Sequence, residues 1–421
     1  MLALTSDSAI YAVAALATLG VVARPWRLPE ATWAVAGAVA MVLFGLLPWG
    51  DAAQAVQKGD NVYLFLVGMM LLSELARREG LFDYLAALCV QRAQGSSTRL
   101  FLLVYVVGTV VTVFMSNDAT AVVLTPAVLA VSRKAKANAL PYLLVCAFIA
   151  NAASFVLPIS NPANLVVFGD KLPSLMQWVG RFILPSALAV VATYGVLRVL
   201  CRRELRARVA EDVDVPTLSA SGKLSAVGIA ASAVILLGAS AFNVPLGLPT
   251  LAVAVVVLVV ILARKRESPR QVLAEVSWSV LPLVAGLFVL VEGLQRAGAI
   301  EALTNVLHTA AASSATGTVL AAGFIVALAC NLMNNLPAGL IAGLVVGDAN
   351  VTPLVQSAVA IGADLGPNLS VTGSLATILW LLAIRREGEN VSAWQFLRVG
   401  AVAMPVALAL ALLGLLAQAS V

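Results

Sequence analysis

Apolar runs of about 17–25 residues recur along nearly the whole chain, a length that matches a helix crossing a bilayer. This recurrence fixes the solvent in which the chain folds. A surface helix of a soluble domain buries one stripe and keeps its other face polar; here whole successive turns lack a polar residue. Composition agrees: 61% of the 421 residues are apolar and only 11% are charged, against about 25% in an ordinary soluble domain. A soluble enzyme, a disordered chain and a disulfide scaffold are excluded. The predicted fold is an all-α polytopic membrane protein.

Full spans are expected near 8–23, 31–49, 60–78, 139–169, 175–200, 223–241, 249–263, 276–295, 353–384 and 394–418, those at 139–169 and 353–384 being broken helices. Two further stretches, 99–132 and 316–347, are interrupted at their centres by polar residues, with arms of about 12–17 residues. At about 1.5 Å per residue the shorter arm falls short of a hydrocarbon core of about 30 Å. Both read as re-entrant hairpins, whose tips must line a cavity or be covered by protein. The first run follows Asp7 and no basic segment, so it reads as an anchor rather than a cleaved signal.

Loop charge sets the orientation. With the N-terminus outside, 22 of the 26 Lys and Arg fall in inner loops; Lys58, Lys171, Arg181 and Arg296 are the exceptions. This is a positive-inside pattern, with both termini outside. A net charge of +5 spread over such loops marks a cytoplasmic membrane face rather than a nucleic-acid surface.

The two halves repeat. At an offset of 218 residues Gly68 pairs with Gly286, Glu74 with Glu292, Arg78 with Arg296, Gly80 with Gly298 and Met115-Ser116-Asn117 with Met333-Asn334-Asn335. Beyond the hairpins the offset falls to 213, pairing Asn151 with Asp364 and Asn161 with Ser374. Residues 1–201 and 223–421 are therefore expected as two repeats, each of about five spans plus one hairpin, joined by a cytoplasmic linker at 202–222. An odd span count inverts one repeat against the other, the pattern of secondary transporters with a site near the midplane.

Four polar clusters interrupt the apolar background. The first tip holds Ser116, Asn117 and Asp118, and the second holds Asn334 and Asn335. The first broken helix carries Asn151, Ser160, Asn161 and Asn164; the second carries Asp364, Asn368, Thr372 and Ser374. Asn and Ser cap half-helix starts and present amides and hydroxyls. Half-helix N-termini aim free N–H groups at a shared cavity. Asp118 and Asp364 are carboxylates at membrane depth, a placement that costs at least about 2.5–3.5 kcal/mol on insertion scales and marks ion or proton paths. Glu74 with Arg78, and Glu292 with Arg296, stand at the i,i+4 spacing of an ion pair.

Other chemistry is thin. The single histidine, His308, and four scattered cysteines, Cys89, Cys146, Cys201 and Cys330, give no metal-ligand spacing and no catalytic triad. Neither metal, cofactor nor enzymatic activity is expected. Asn161-Pro162-Ala163 matches the triplet of water and glycerol channels, but those carry two triplets in six spans.

At these motifs the chain resembles the arsenite/antimonite efflux permeases of the ion-transporter superfamily. The likeness rests on Ser116-Asn117-Asp118 with Leu124-Thr125-Pro126, on Phe148 to Ser154, and on Ser160-Asn161. It continues through Met333-Asn334-Asn335-Leu336-Pro337 and Gly362 to Thr377. The resemblance implies scaffold and transport subdomains, elevator-type motion, and export of trivalent arsenic or antimony from a bacterial inner membrane in exchange for protons. A cytosolic arsenical ATPase serves some members as partner, and related transporters are often homodimers. Some members carry Asp where this chain has Asn151; coupling here then rests on Asp118 or Asp364.

Arsenite near neutral pH is largely the uncharged trihydroxide, a solute that calls for amides and hydroxyls. Thiols would hold arsenic covalently and slow its release, so the cysteines are left out of the site. A sodium/proton antiporter of the same superfamily and a passive channel for neutral solutes are the alternatives.

Overall fold

The computed structural model describes residues 6–210, 214–349 and 351–419; the middle of the expected linker, with Glu211 and Asp212, lies outside them. The helices follow the apolar runs closely. They are α1 (Ser6–Ala23), α2 (Glu30–Leu43), α3 (Trp49–Gln57), α4 (Asp60–Arg78) and α5 (Leu81–Ala93). Next come α6 (Ser97–Met115), α7 (Asn117–Ala119), a π turn at Thr120–Leu124, α8 (Thr125–Lys134), α9 (Leu140–Ala152), α10 (Pro162–Phe168) and α11 (Leu175–Leu200). The second half holds α12 (Ala220–Ala241), α13 (Gly247–Lys265), α14 (Arg270–Glu275), α15 (Val280–Arg296) and α16 (Ala299–Ser313). It closes with α17 (Ala315–Met333), α18 (Asn335–Asp348), α19 (Pro353–Leu365), α20 (Leu375–Arg386) and α21 (Ala393–Ala419).

Among the described residues seven helices are each long and apolar enough to cross a membrane. The protein is a multi-pass, all-helical membrane protein. Large apolar side chains such as Leu16, Val191, Val234 and Leu332 stay exposed on these helices, as lipid contact requires.

Three features depart from expectation. The first arms of both interrupted stretches, α6 and α17, have 19 residues each, longer than the expected arms. Ser96 and Ser314 cap them by accepting the Arg99 and Gly317 backbone N–H groups, so helix begins ahead of the apolar run. The expected span 31–49 is a 14-residue α2 followed by a turn and the separate α3. Finally, α5 and α16 were not foreseen. Each starts after a glycine in the left-handed region, Gly80 (φ 74°) and Gly298 (φ 78°), which turns the chain sharply.

Elements start at matching offsets in the two halves. The pairs α5/α16, α6/α17 and α7/α18 each begin 218 residues apart. At offset 213 α9 matches α19, and α10 matches α20. Packing then crosses between halves: α10 lies against α18 and α19, while α20 lies against α8, α9 and the π turn. On the other side α4 packs against α13, and α15 packs against α2. Gly68 and Gly286 are the contact points, since a Cβ there would come within 2.7 Å of the Thr250 and Ala34 backbone respectively.

Candidate transport site

Both broken helices fail in the same way. After α9 the chain turns through Pro158–Ser160, and Asn161 restarts it as α10, accepting the Ala163 N–H at 3.0 Å. After α19 it turns through Gly366–Asn368 and Val371–Gly373, and Ser374 restarts it as α20, accepting the Thr377 N–H at 3.1 Å. Each break is lined by buried amides and hydroxyls, because backbone groups freed in an apolar interior need partners.

The breaks meet at Asn151. Its Nδ2 donates to Asn368 Oδ1 at 3.0 Å and to Thr377 Oγ1 at 3.2 Å, while its Oδ1 accepts from Ser374 Oγ at 3.3 Å. Asn368 in turn donates to the Phe148 carbonyl at 3.1 Å. A second cross-link joins the halves: Asn161 Nδ2 donates to Asp364 Oδ1 at 2.6 Å. Asp364 is 1% exposed, and its Oδ2 has no hydrogen-bond partner among the described residues. Cys330 is buried beside it, with Sγ 3.8 Å from the Ala363 carbonyl.

The remaining predicted residues spread around this core. Asn164 Nδ2 donates to the Ser154 carbonyl at 2.9 Å, and its Oδ1 has no partner among the described residues. Ser160 donates to the Val113 carbonyl at 3.0 Å, tying the first break to α6. Ser116 and Asn334 form the two tips with φ of 98° and 77°, a region costly for any residue with a Cβ. Asn334 Oδ1 accepts the Leu336 N–H at 3.3 Å, and Asn117 and Asn335 are buried next to the tips. Asn117 Oδ1 likewise lacks a partner among the described residues. Thr372 donates to the Asn331 carbonyl at 3.3 Å.

Two clefts open into the structure, and the first of them reaches the first tip. One, with a cavity volume of about 60 Å³, is lined by Ser73, Glu74, Ser116, Asp118, Pro162, Glu275, Ser277 and Leu379. It runs from the ends of α4 and α14 to the first tip and the start of α10. The other, of about 280 Å³, lies at the opposite ends of α4 and α10 and holds Lys58, Glu292, Asp348, Lys171 and Gln356.

The foreseen ion pairs need correction. Glu74 pairs with Arg77, at 2.6 and 2.9 Å, and Arg77 also contacts Glu275. Arg78 instead meets Glu267 and Gln271. Glu292 pairs with Lys58 at 2.6 Å, and Arg296 with Asp51 at 2.7 Å. The physical reason is tertiary: α14 and α3 lie against the ends of α4 and α15 and supply nearer partners than the next turn does. Positions i+3 and i+4 are both neighbours on a helix, and Glu275 draws Arg77 rather than Arg78 toward the cleft. Asn331, Ser370, Ser154 and Thr377 are site polar groups that the sequence reading did not assign. His308 is exposed on α16, and the four cysteines are buried and free.

Residues 17–384 match the citrate transporter family. The chain belongs to this family. The arsenical pump membrane protein of Yersinia enterocolitica is 29% identical over 88% of the chain and 89% of its own length. The protein of the same name in Escherichia coli K12 is 28% identical with the same coverage. An uncharacterised transporter of Mycobacterium tuberculosis is 27% identical over 91% of the chain and 92% of its own length. Among solved structures, the Alcanivorax borkumensis YdaH transporter superposes with a TM-score of 0.59 at 16% identity, covering 88% of this chain and 87% of that one. Neisseria gonorrhoeae MtrF, described as one of a class of antimetabolite efflux pumps, gives 0.53 at 10% identity, over 97% and 94%. At such identities these two likenesses concern the fold.

Proposed function

We propose that this transporter exports trivalent arsenic or antimony, as the neutral trihydroxide, in exchange for inward protons. One observation carries the reading. Among the described residues the transport region holds three buried oxygens without donors, on Asn117, Asn164 and Asp364, with neighbouring amides and hydroxyls around the two breaks. A trihydroxide brings O–H donors and no charge, which is the complement of such a lining. The arsenical pump names of the similar proteins point the same way.

The cleft beside the first tip disfavours an anionic substrate such as citrate. Glu74, Asp118 and Glu275 line it, and Arg77 is committed to two of the three carboxylates. Like charges in a low-dielectric cleft repel an anion strongly.

On this reading residues 1–201 and 223–421 are inverted repeats in a bacterial inner membrane, with termini outside. Residues 99–132 and 316–347 are re-entrant hairpins, and the hairpins with the broken helices move against a scaffold of α4, α13, α15 and α2. Asp118 and Asp364 are the groups that take up and release the proton. A neutral solute gains nothing from voltage, but one exchanged proton brings about 2.3 kcal/mol per 100 mV, roughly a 40-fold gradient.

The test is arsenite uptake into inside-out vesicles under an imposed proton gradient, with and without protonophore. Uphill uptake that protonophore abolishes is expected. Sodium-dependent collapse of the gradient with no effect of arsenite would instead mean a sodium/proton antiporter, and purely downhill flux would mean a channel.

A further inference from the structure

Asn331 belongs to no predicted motif, yet it makes three hydrogen bonds to the second break. It sits on α17 three residues before the tip residue Asn334. Its Nδ2 donates to the Ala327 carbonyl at 2.7 Å and to the Gly366 carbonyl at 3.0 Å. Its Oδ1 accepts from Ser370 Oγ at 2.6 Å, and its own carbonyl accepts from Thr372 Oγ1 at 3.3 Å. The two hydroxyl oxygens lie 3.1 Å apart. One residue, through its side-chain amide and its backbone carbonyl, thus holds the segment that starts two residues after Asp364 and ends just before Ser374.

The first half makes this joint with the opposite polarity. The repeat mate of Asn331 is Val113, which offers only its backbone carbonyl, and the break supplies the side chain, Ser160. The mate of Ser160 is Gly373. A Cβ at Gly373 would stand 2.8 Å from Asn331 Oδ1 and 2.5 Å from Pro367 Cα. The glycine and the asparagine are therefore a matched exchange: the side chain has moved from the break to the hairpin arm, and the break has been emptied to receive it.

We propose that Asn331 is a positioning residue for transport, one that fastens the second hairpin arm to the second break so that the tip, Asp364 and the Asn368–Ser374 ligands move as one body. The inference rests on the transport reading above for its flux arm only. The joint serves this end because its donors reach across two elements: the amide grips the end of α19 from α17, and the hydroxyls of Ser370 and Thr372 return the grip. Without the side chain, the Gly366 carbonyl and the Ser370 hydroxyl lose their shared partner while Thr372 keeps the Asn331 backbone carbonyl, and the break is free to shift relative to the tip.

Two measurements test this on the full-length protein in proteoliposomes. The first is amide hydrogen exchange of wild type, Asn331→Ala and Ser370→Ala. Asn331→Ala is expected to speed exchange at 366–374 at least tenfold, leaving the first break at 157–161 unchanged; Ser370→Ala, which removes one bond, is expected to give a smaller increase. Equal protection at 366–374 in wild type and Asn331→Ala would overturn the proposal, whatever the substrate. The second is arsenite flux normalised to folded protein. Asn331→Ala is expected to raise the half-saturating arsenite concentration several-fold and to let protons leak without arsenite. A lower maximal rate with unchanged half-saturation and no leak would mean a merely structural role and would also overturn it. Absence of uphill arsenite flux in the wild type counts against the function proposed above, while the exchange arm still decides the role of Asn331.

Discussion

Asn161 does two jobs whose energies can be separated by two substitutions. Its Oδ1 caps α10 through the Ala163 N–H at 3.0 Å, and its Nδ2 donates to Asp364 Oδ1 at 2.6 Å. Asn161→Ser keeps a good capping oxygen, the same residue type that caps the matching helix at Ser374, but it is too short to reach Asp364. It should lose a bond worth about 1.5–3 kcal/mol if Asp364 is charged and about 0.5–1.5 kcal/mol if it is neutral. Asn161→Ala removes the cap as well, adding about 1 kcal/mol. The expected order of stability is wild type, then Ser, then Ala. On an Asp364→Ala background the Ser substitution should cost almost nothing, since the acceptor is gone. Denaturant titration in detergent micelles, followed by tryptophan fluorescence, reads all these steps; Trp178, buried and bonded to the Phe155 carbonyl near the first break, is one reporter. If Asn161→Ser matches wild type in stability, the cross-link between the halves carries no energy and the reasoning fails.

Asp118→Asn combined with Asp364→Asn should abolish proton-driven arsenite flux while the protein still folds; unchanged uphill flux in that double variant removes both residues from coupling. Arg77→Ala leaves Glu74, 7% exposed, without its two charged hydrogen bonds and should destabilise by about 1.5–3 kcal/mol, whereas Glu275→Ala, on a half-exposed carboxylate, should cost under about 1 kcal/mol; equal losses in a thermal-shift assay would contradict the assignment. Asn151→Asp faces its new oxygen toward Asn368 Oδ1, whose amide cannot turn without releasing the Phe148 carbonyl, so a loss of about 1–3 kcal/mol is expected. Gly343→Leu should block flux in folded protein, because a Cβ there meets the Val167 carbonyl at 2.5 Å where α18 lies on α10; wild-type flux in that variant would show that this contact does not matter.

The span pattern was legible because charge is so scarce that each apolar run stands out. The matching offsets were legible too, since residues such as Gly80 and Gly298 occupy left-handed positions that few side chains tolerate. What escaped was what depends on neighbours distant in sequence. Helices α3, α5 and α16 carry charged and polar residues, so an apolar-run criterion passes over them. Glu74 takes Arg77 of its own helix, which also meets Glu275 of α14, and Glu292 takes Lys58 at the end of α3, a partner that no spacing within α15 can reveal. The meeting of Asn151, Asn368 and Ser374 follows from α9 and α20 being packed together, which the motifs suggested only as a set. Asn331 could have been noticed as an amide in an apolar arm, but nothing local says that it reaches Gly366. Thr377 stood inside a recognised motif and gained its role only from the fold.

The short second helix has a consequence for the lipid around it. At about 1.5 Å per residue, the 14 residues of α2 rise only about 21 Å. The hydrocarbon core of a typical bilayer is about 30 Å thick. Beside α2, the lipids must thin, or the non-helical turn at 44–48, apolar in its side chains, must sit within the acyl region. Either adjustment carries a cost that grows with each ångström of mismatch. The membrane itself is then a variable of the system: reconstitution into lipids with progressively longer chains should strain the edge formed by α1 and α2 first. Acyl-chain length thereby becomes a dial on stability that no substitution in the polar centre would reproduce.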